Sequence, residues 1–242
     1  MNYIKYLSAS QIGTFEQCPR KWWAIWIKKI VQPPESDAVK LGKAAHKILE
    51  ILLRANQLNI EKYKDQHILI ALYSKIYDLS EDNRLLLNQM IDIAINNKWL
   101  STYNDKTLIE YPFSVPFTES INIIGRYDRI DVINDDAIRI IDLKTGKRKY
   151  SKEDLDNNWQ AKIYALSFLE SDYKEFFVDF WFLRYKSPKQ SLLFKKKQLD
   201  AIKKELGVIV ENMLNYDGST KCENKFCNYC PFNKECKEME KR

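Results

Sequence analysis

Between Gly125 and Gly146 the chain reads GRYDRIDVINDDAIRIIDLKTG, two runs of strand character separated by a polar turn. No other stretch limits the fold as much. Apolar and polar residues alternate with period two, so successive side chains point to opposite faces of a sheet. With Asn134-Asp135-Asp136 as the hairpin loop and Ile133 opposite Ala137, Val132 faces Ile138, Ile130 faces Ile140, and Asp128 faces Asp142. Those residues and Lys144 then share one face, and Asp131 points to the other. Like charges directly opposite one another destabilise a sheet, and one half-buried lysine cannot offset both. A divalent cation resolves the conflict: Mg²⁺ takes carboxylate and water ligands, can activate water towards a phosphate, and stabilises developing charge. Lys144 would orient that water or neutralise the transition state. An isolated D-x-K is more often a surface salt-bridge network. Here the acidic cross-strand partner and the TGK turn that follows favour chemistry.

The rest of the chain surrounds this hairpin with helices and further strands. Ser8 to Ile27 reads as a helix capped by Ser-Ala-Ser and broken at Cys18-Pro19. Asp37 to Ala55 places Leu41, Ala45, Ile48, Leu49 and Leu52 on one buried helical face, and helix continues to about Tyr103, with 57–103 as an insertion. TLIEYPFSVPF precedes the hairpin as a third strand of a meander. Ser151 to Leu169 reads as helix, EFFVDFWFLRY as a buried strand, SLLFKK as an edge strand, and Gln198 to Leu214 as a last helix before a cysteine-rich tail. The expected class is α/β with a mixed central β-sheet flanked by helices, in a single domain spanning 1–242.

Bulk properties bound the function. A net charge of +6 permits nucleic-acid binding without demanding it, and with only six glycines there is no Walker loop or GxGxxG turn. No apolar run approaches the length of a membrane span, and MNYIKYLSAS lacks the apolar core of a signal peptide, so a cytoplasmic protein without membrane contact is expected. Five cysteines in a reducing compartment point to metal rather than disulfides. The tail FCNYCPFNKEC gives Cys227-x2-Cys230-x5-Cys236, with Cys18 or Cys222 as the fourth ligand. Spacing alone leaves iron–sulfur and Zn²⁺ open.

His46, in GKAAHKILE, is by spacing alone more often a hydrogen-bonded core histidine than a ligand, and His67 has no suggestive context. Gln160 and Tyr164, four apart, share one helix face. Arg20, Lys21, Lys28 and Lys29 interleave with Trp22, Trp23 and Trp26, a composition suited to phosphate contact and base stacking, although Trp22 or Trp23 can equally be core. Lys147-Arg148-Lys149 and Lys195-Lys196-Lys197 are short basic runs, the first placed for a DNA-backbone contact.

GRYDRIDVI followed by IIDLKTG resembles the core of the PD-(D/E)XK nuclease superfamily, in particular its RecB-like branch. The resemblance implies a restriction-endonuclease-like core in which Asp128, Asp142 and Lys144 are catalytic. The metal ligands it implies for Mg²⁺ or Mn²⁺ are His46, Asp128, Asp142 and the Leu143 carbonyl. His46 enters through Gly42-Lys43-Ala44-Ala45-His46, similar to the family's G-x-x-x-H helix. Gln160 and Tyr164, similar to its Q-x-x-x-Y helix, would face substrate, and Glu110 matches a glutamate on the preceding strand without an assigned role. A lone cysteine in C-P-R with C-x2-C-x5-C after the core resembles the iron–sulfur nucleases of the AddB type and those that accompany CRISPR adaptation. That implies a 4Fe-4S cluster on Cys18, Cys227, Cys230 and Cys236, joining segments 1–30 and 215–242 and leaving Cys222 over. Expected partners are DNA, as single strands or ends, and proteins of recombination or CRISPR adaptation. The alternative is a non-cleaving DNA-binding module of such a complex.

Overall fold

The computed structural model describes residues 3–30, 34–58, 65–101, 106–220, 223–224 and 227–238; Cys222 and parts of the 57–103 segment lie outside them. The chain forms two compact units, one of residues 1–34, 114–125 and 200–242, the other of residues 35–113 and 126–199.

The larger unit holds the hairpin. β3 (Asn122–Asn134) and β4 (Ala137–Lys144) pair antiparallel with Arg129 opposite Ile141, Ile130 opposite Ile140 and Val132 opposite Ile138. The expected partner of Ala137 is corrected: Asn134, not Ile133, stands there, because the register shifts between Val132 and Asn134. One extra residue on β3 is taken up as a bulge beside the turn. β4 pairs parallel with β5 (Glu175–Phe182), and β5 antiparallel with β6 (Lys189–Lys195), so the sheet is mixed. β2 (Leu108–Pro116) pairs with β3.

Strand alternation sorts β4 between two environments. Ile141 and Leu143 join a cluster with α3 (Asp37–Gln57), α4 (Gln66–Ile76) and α5 (Glu81–Asn96), to which α3 contributes Leu41, Ala45, Ile48, Leu49 and Leu52 as their spacing requires. Trp99, fully buried, donates its indole N–H to the Leu49 carbonyl at 3.1 Å. Asp142 and Lys144 instead meet α7 (Trp159–Leu166). The expected helix over 151–169 is two, α6 (Lys152–Asp156) and α7, because Asn158 leaves helical geometry and caps α7 by accepting from the Ala161 N–H at 3.0 Å. The Lys196 ammonium donates to the carbonyls of Phe168, Leu169 and Ser171 beyond α7.

In the smaller unit, β1 (Tyr6–Leu7) lies parallel to the start of β3, Tyr6 opposite Asn122. α1 (Ala9–Gln17), capped by Ser8, ends at Cys18, and Pro19 opens α2 (Pro19–Trp22), which runs into a π-helical turn, Trp23–Ile27. Trp22 is core and meets Phe15 edge to face at 5.2 Å. α8 (Leu199–Asn215) buries Ile202, Leu206, Val210 and Met213 at helical spacing. Gly218, at φ +85°, lies against the Trp23 ring, where any side chain would collide. A 3₁₀ turn (Cys227–Tyr229) and α9 (Asn233–Glu238) complete this unit. Among the described residues no helix is long and apolar enough to cross a membrane.

Candidate active site

The C-terminal end of β4 sets Asp142 and Lys144 beside α7. Asp142 is 3% exposed, and its Oδ1 accepts from Gln160 Nε2 and from the Tyr164 hydroxyl, each at 2.7 Å. Lys144 Nζ stands 2.7 Å from Asp142 Oδ2 and donates to Gln160 Oε1 at 2.5 Å. The Lys144 contact is an ion pair without hydrogen-bond alignment, so Asp142 Oδ2 is buried with no hydrogen bond of its own. Gln160 and Tyr164, expected on the substrate side, thus direct their polar atoms at Asp142 and Lys144, with Gln160 also donating to the Tyr164 oxygen at 2.8 Å.

Asp128 forms the second half. Its Oδ2 accepts from the Leu143 N–H at 2.7 Å, and its Oδ1 lies 3.2 Å from His46 Nδ1. α3 brings His46 there by passing close to the turn after β4: a β-carbon at Gly42 would lie 3.0 Å from Thr145 Oγ1. That turn is fixed from behind, since Leu183 N–H donates to the Lys144 carbonyl and Arg184 Nε to the Thr145 carbonyl.

Glu110, to which sequence gave no role, completes the group. Ligand atoms of His46, Glu110 and Asp128 lie within 4.8 Å of one another, the one such trio among the described residues. Glu110 adopts φ 47°, a conformation a non-glycine residue rarely takes, and Arg126 Nη1 approaches it at 3.5 Å. Nothing in the sequence marks that strain; the signal for Glu110 itself was its match to a glutamate on the family's preceding strand. An open cleft of about 750 Å³ borders the trio and is lined also by Lys43, Lys47, Tyr77 and Thr145.

The site crowds three carboxylates against Lys144, His46 and Arg126. Burial raises the Glu110 carboxyl above its ordinary range, and Asp128 raises it further. Burial likewise lifts Asp142, with Asp128 adding to the rise and Lys144 only partly opposing it. Burial pushes the His46 imidazole down, but Asp128, with Asp142 and Glu110, more than reverses this, to about 9. Lys144 is held as the ammonium, its burial outweighed chiefly by Asp142. Glu110, Asp142 and His46 are thus all shifted towards the protonated form, a perturbation that clusters at functional sites.

Cys18, Cys227, Cys230 and Cys236 line one cavity of the smaller unit. Cys18 Sγ accepts from the Lys21 N–H at 3.4 Å, Cys227 Sγ from the Asn224 N–H at 3.3 Å, and Cys236 Sγ from Arg20 Nη1 at 3.3 Å. The Asn224 amide also donates to the Gln17 carbonyl, so the two ends of the chain meet here. Among the described residues no three of these sulfurs fall within 4.8 Å of one another. Arg20, expected as a surface phosphate contact, is corrected to a buried residue, 8% exposed.

The model of one protein family, described as the PD-(D/E)XK nuclease superfamily, matches residues 6–237. Among solved structures, a candidate exonuclease from Eubacterium rectale superposes with a TM-score of 0.57 at 11% identity, covering 95% of this chain and 88% of that one. A protein called SSO0001 gives a TM-score of 0.37 at 14% identity, covering 80% and 92%. No curated protein matches the sequence.

Proposed function

The chain belongs to the PD-(D/E)XK nuclease superfamily, and from that premise we propose that it is a metal-dependent nuclease hydrolysing DNA phosphodiester bonds, an exonuclease on single strands or ends. The observation that carries the reading is the meeting of His46, Glu110, Asp128, Asp142 and Lys144 at the end of β4, where the Glu110 and Asp142 carboxyls are raised above their ordinary range by burial and by Asp128. The donor set of carboxylates and one imidazole suits Mg²⁺ or Mn²⁺. His46, Glu110, Asp128, Asp142 and the Leu143 carbonyl would hold it, Asp142 through its oxygen that lacks a hydrogen bond. A bound ion there supplies Lewis-acid stabilisation of the phosphate and a more acidic water.

The protein's own groups do the rest. Gln160 and Tyr164 fix Asp142 Oδ1, so this carboxylate does not have to reorganise during the reaction. The Tyr164 phenol stays neutral, because burial and both aspartates oppose its ionisation, and it remains a donor. Lys144, positioned by Asp142 and Gln160, presents a fixed ammonium to charge developing on the phosphate and can orient the attacking water. Exonuclease action draws support from the name of the Eubacterium rectale protein, and strand preference from the family resemblance. The test is cleavage of end-labelled single- and double-stranded DNA with Mg²⁺, Mn²⁺ or EDTA. Products shortened from one end only with a metal present are expected; metal-independent or absent cleavage overturns the reading.

The cysteines take a structural 4Fe-4S cluster in this reading, held by Cys18, Cys227, Cys230 and Cys236 and supplying a staple between the chain ends. Support comes from the shared cavity and the donors directed at three of its sulfurs. Zn²⁺ on the same four sulfurs is the alternative. Recombination or CRISPR-adaptation proteins remain the proposed partners, on the resemblance alone.

A further inference from the structure

Arg20 is a cation buried beside thiols. It follows Cys18 by two residues at the start of α2, its side chain is more than nine-tenths buried, and among the described residues no carboxylate lies within ion-pair distance. Nη1 donates to Cys236 Sγ, while Nε is buried with no hydrogen-bond partner. A guanidinium cannot shed its proton in a protein, and a buried charge without a partner costs several kcal/mol. Among the described residues, the ionisable groups that could balance it are the Tyr216 phenol and the sulfurs of Cys18, Cys227, Cys230 and Cys236, and the one it touches is Cys236.

Free thiols are neutral and supply nothing. Four thiolates around a 4Fe-4S core, or around one zinc, carry a net charge of about −2. The backbone donors on Cys18 and Cys227 point the same way, since N–H groups directed at sulfur favour its anionic form. We propose that Arg20 is the built-in charge partner of the cysteine-bound metal centre, holding Cys236 as a thiolate ligand and making this unit's stability conditional on loading. The inference rests on the reading that the cysteines bind a cluster, and it gives Arg20 a role apart from both packing and DNA contact.

The experiment uses the full chain purified anaerobically, as wild type, Arg20→Met and Arg20→Lys. Iron and zinc content, the rate of cluster loss to a chelator, the reduction potential and thermal unfolding before and after metal removal are measured. Arg20→Met should lose its cluster roughly tenfold faster, the scale of a group supporting a ligand, and its potential should fall because a cation that favours the added electron is gone. Arg20→Lys should lie nearer wild type in both. The decisive sign is in stability: loaded Arg20→Met melts below loaded wild type, but stripped Arg20→Met melts at or above stripped wild type. A mere packing role lowers both. Equal cluster retention and potential in Arg20→Met, or equal destabilisation in both states, overturns the inference while leaving the cluster reading intact. A wild-type protein that binds no metal at the cysteines overturns both.

Discussion

The two sites proposed to take a metal differ in what they can do without one. At the end of β4, Glu110, Asp128 and Asp142 crowd together, each with one cation beside it, Arg126, His46 and Lys144; around Cys18 and Cys236, Arg20 is a cation with no carboxylate partner among the described residues. A metal would ease the crowding of the first and balance the charge of the second, but only the first has groups that can take up a proton instead. A carboxylate or an imidazole deprived of its ion takes up a proton, as the raised Glu110, Asp142 and His46 show, whereas a guanidinium has no proton to give up. On the proposed reading the carboxylate site would exchange its ion and the cysteine site would not. EDTA should leave the fold standing and stop cleavage; loss of the cysteine-bound metal should weaken the fold.

The largest effect expected is on cleavage at the exchangeable site. Asp142→Asn and Lys144→Ala should each lower the rate by at least roughly a thousandfold, since they act on charge formed in the transition state. Cleavage near wild-type rates in either variant removes the mechanism. Next come the cysteines. Cys18→Ser, Cys227→Ser, Cys230→Ser and Cys236→Ser should each lose iron, and about 2–5 kcal/mol of stability, as with loss of other covalent or metal cross-links. Cys222→Ser should stay loaded. Loss of iron in Cys222→Ser with full loading in Cys18→Ser would reassign the fourth ligand.

The same contrast marks what sequence could and could not reveal. The β3–β4 face was legible because alternation has a fixed period, and the pairing of Arg129 with Ile141 through Val132 with Ile138 follows from it. The bulge at Ile133 was not, because one added residue at a turn leaves the hydrophobic pattern unchanged. His46 was readable only through its motif; its proximity to Asp128 depends on the way α3 passes Thr145, a tertiary fact. Glu110 was noticed through the same resemblance but given no role, since its placement depends on β2 and on a positive φ. Arg20 was misread because arginine in a basic, aromatic segment is usually exposed. Only the cavity shows that it faces sulfur.

A smaller effect, about tenfold, is expected from His46→Ala on the metal concentration needed, and pH separates its parts. Folded His46 titrates near 9, above its ordinary 6.5. Its contribution to metal-free stability is thus present below pH 6.5 and lost as pH rises through 9, a span worth at most about 3 kcal/mol. Metal must displace that proton, so the half-saturating Mn²⁺ concentration should fall as pH rises towards 9 and level off above it. In His46→Ala both slopes should flatten. A metal titration in wild type that does not move with pH would return His46 to a structural role.

The smallest effect tests whether packing, apart from charge, sets the exchangeable site. Alanine is favoured over glycine inside a helix by about 1 kcal/mol, so Gly42→Ala should leave the melting temperature unchanged or slightly raised. Its β-carbon, however, would stand 3.0 Å from Thr145 Oγ1, tighter than ordinary contact. The turn cannot readily retreat, because Leu183 and Arg184 hold the Lys144 and Thr145 carbonyls at 2.9 and 2.8 Å. Either Thr145 rotates or α3 moves away and carries His46, one turn on, from Asp128. Mn²⁺ affinity should then drop roughly threefold to tenfold, less than about 1.4 kcal/mol. Gly42→Ala combined with Thr145→Ala should restore it, since the obstructing hydroxyl is gone, while Thr145→Ala alone stays near wild type. Unchanged affinity in Gly42→Ala, or failure of the double variant to recover, would mean that the charges alone position His46 and that the close approach at Gly42 is incidental.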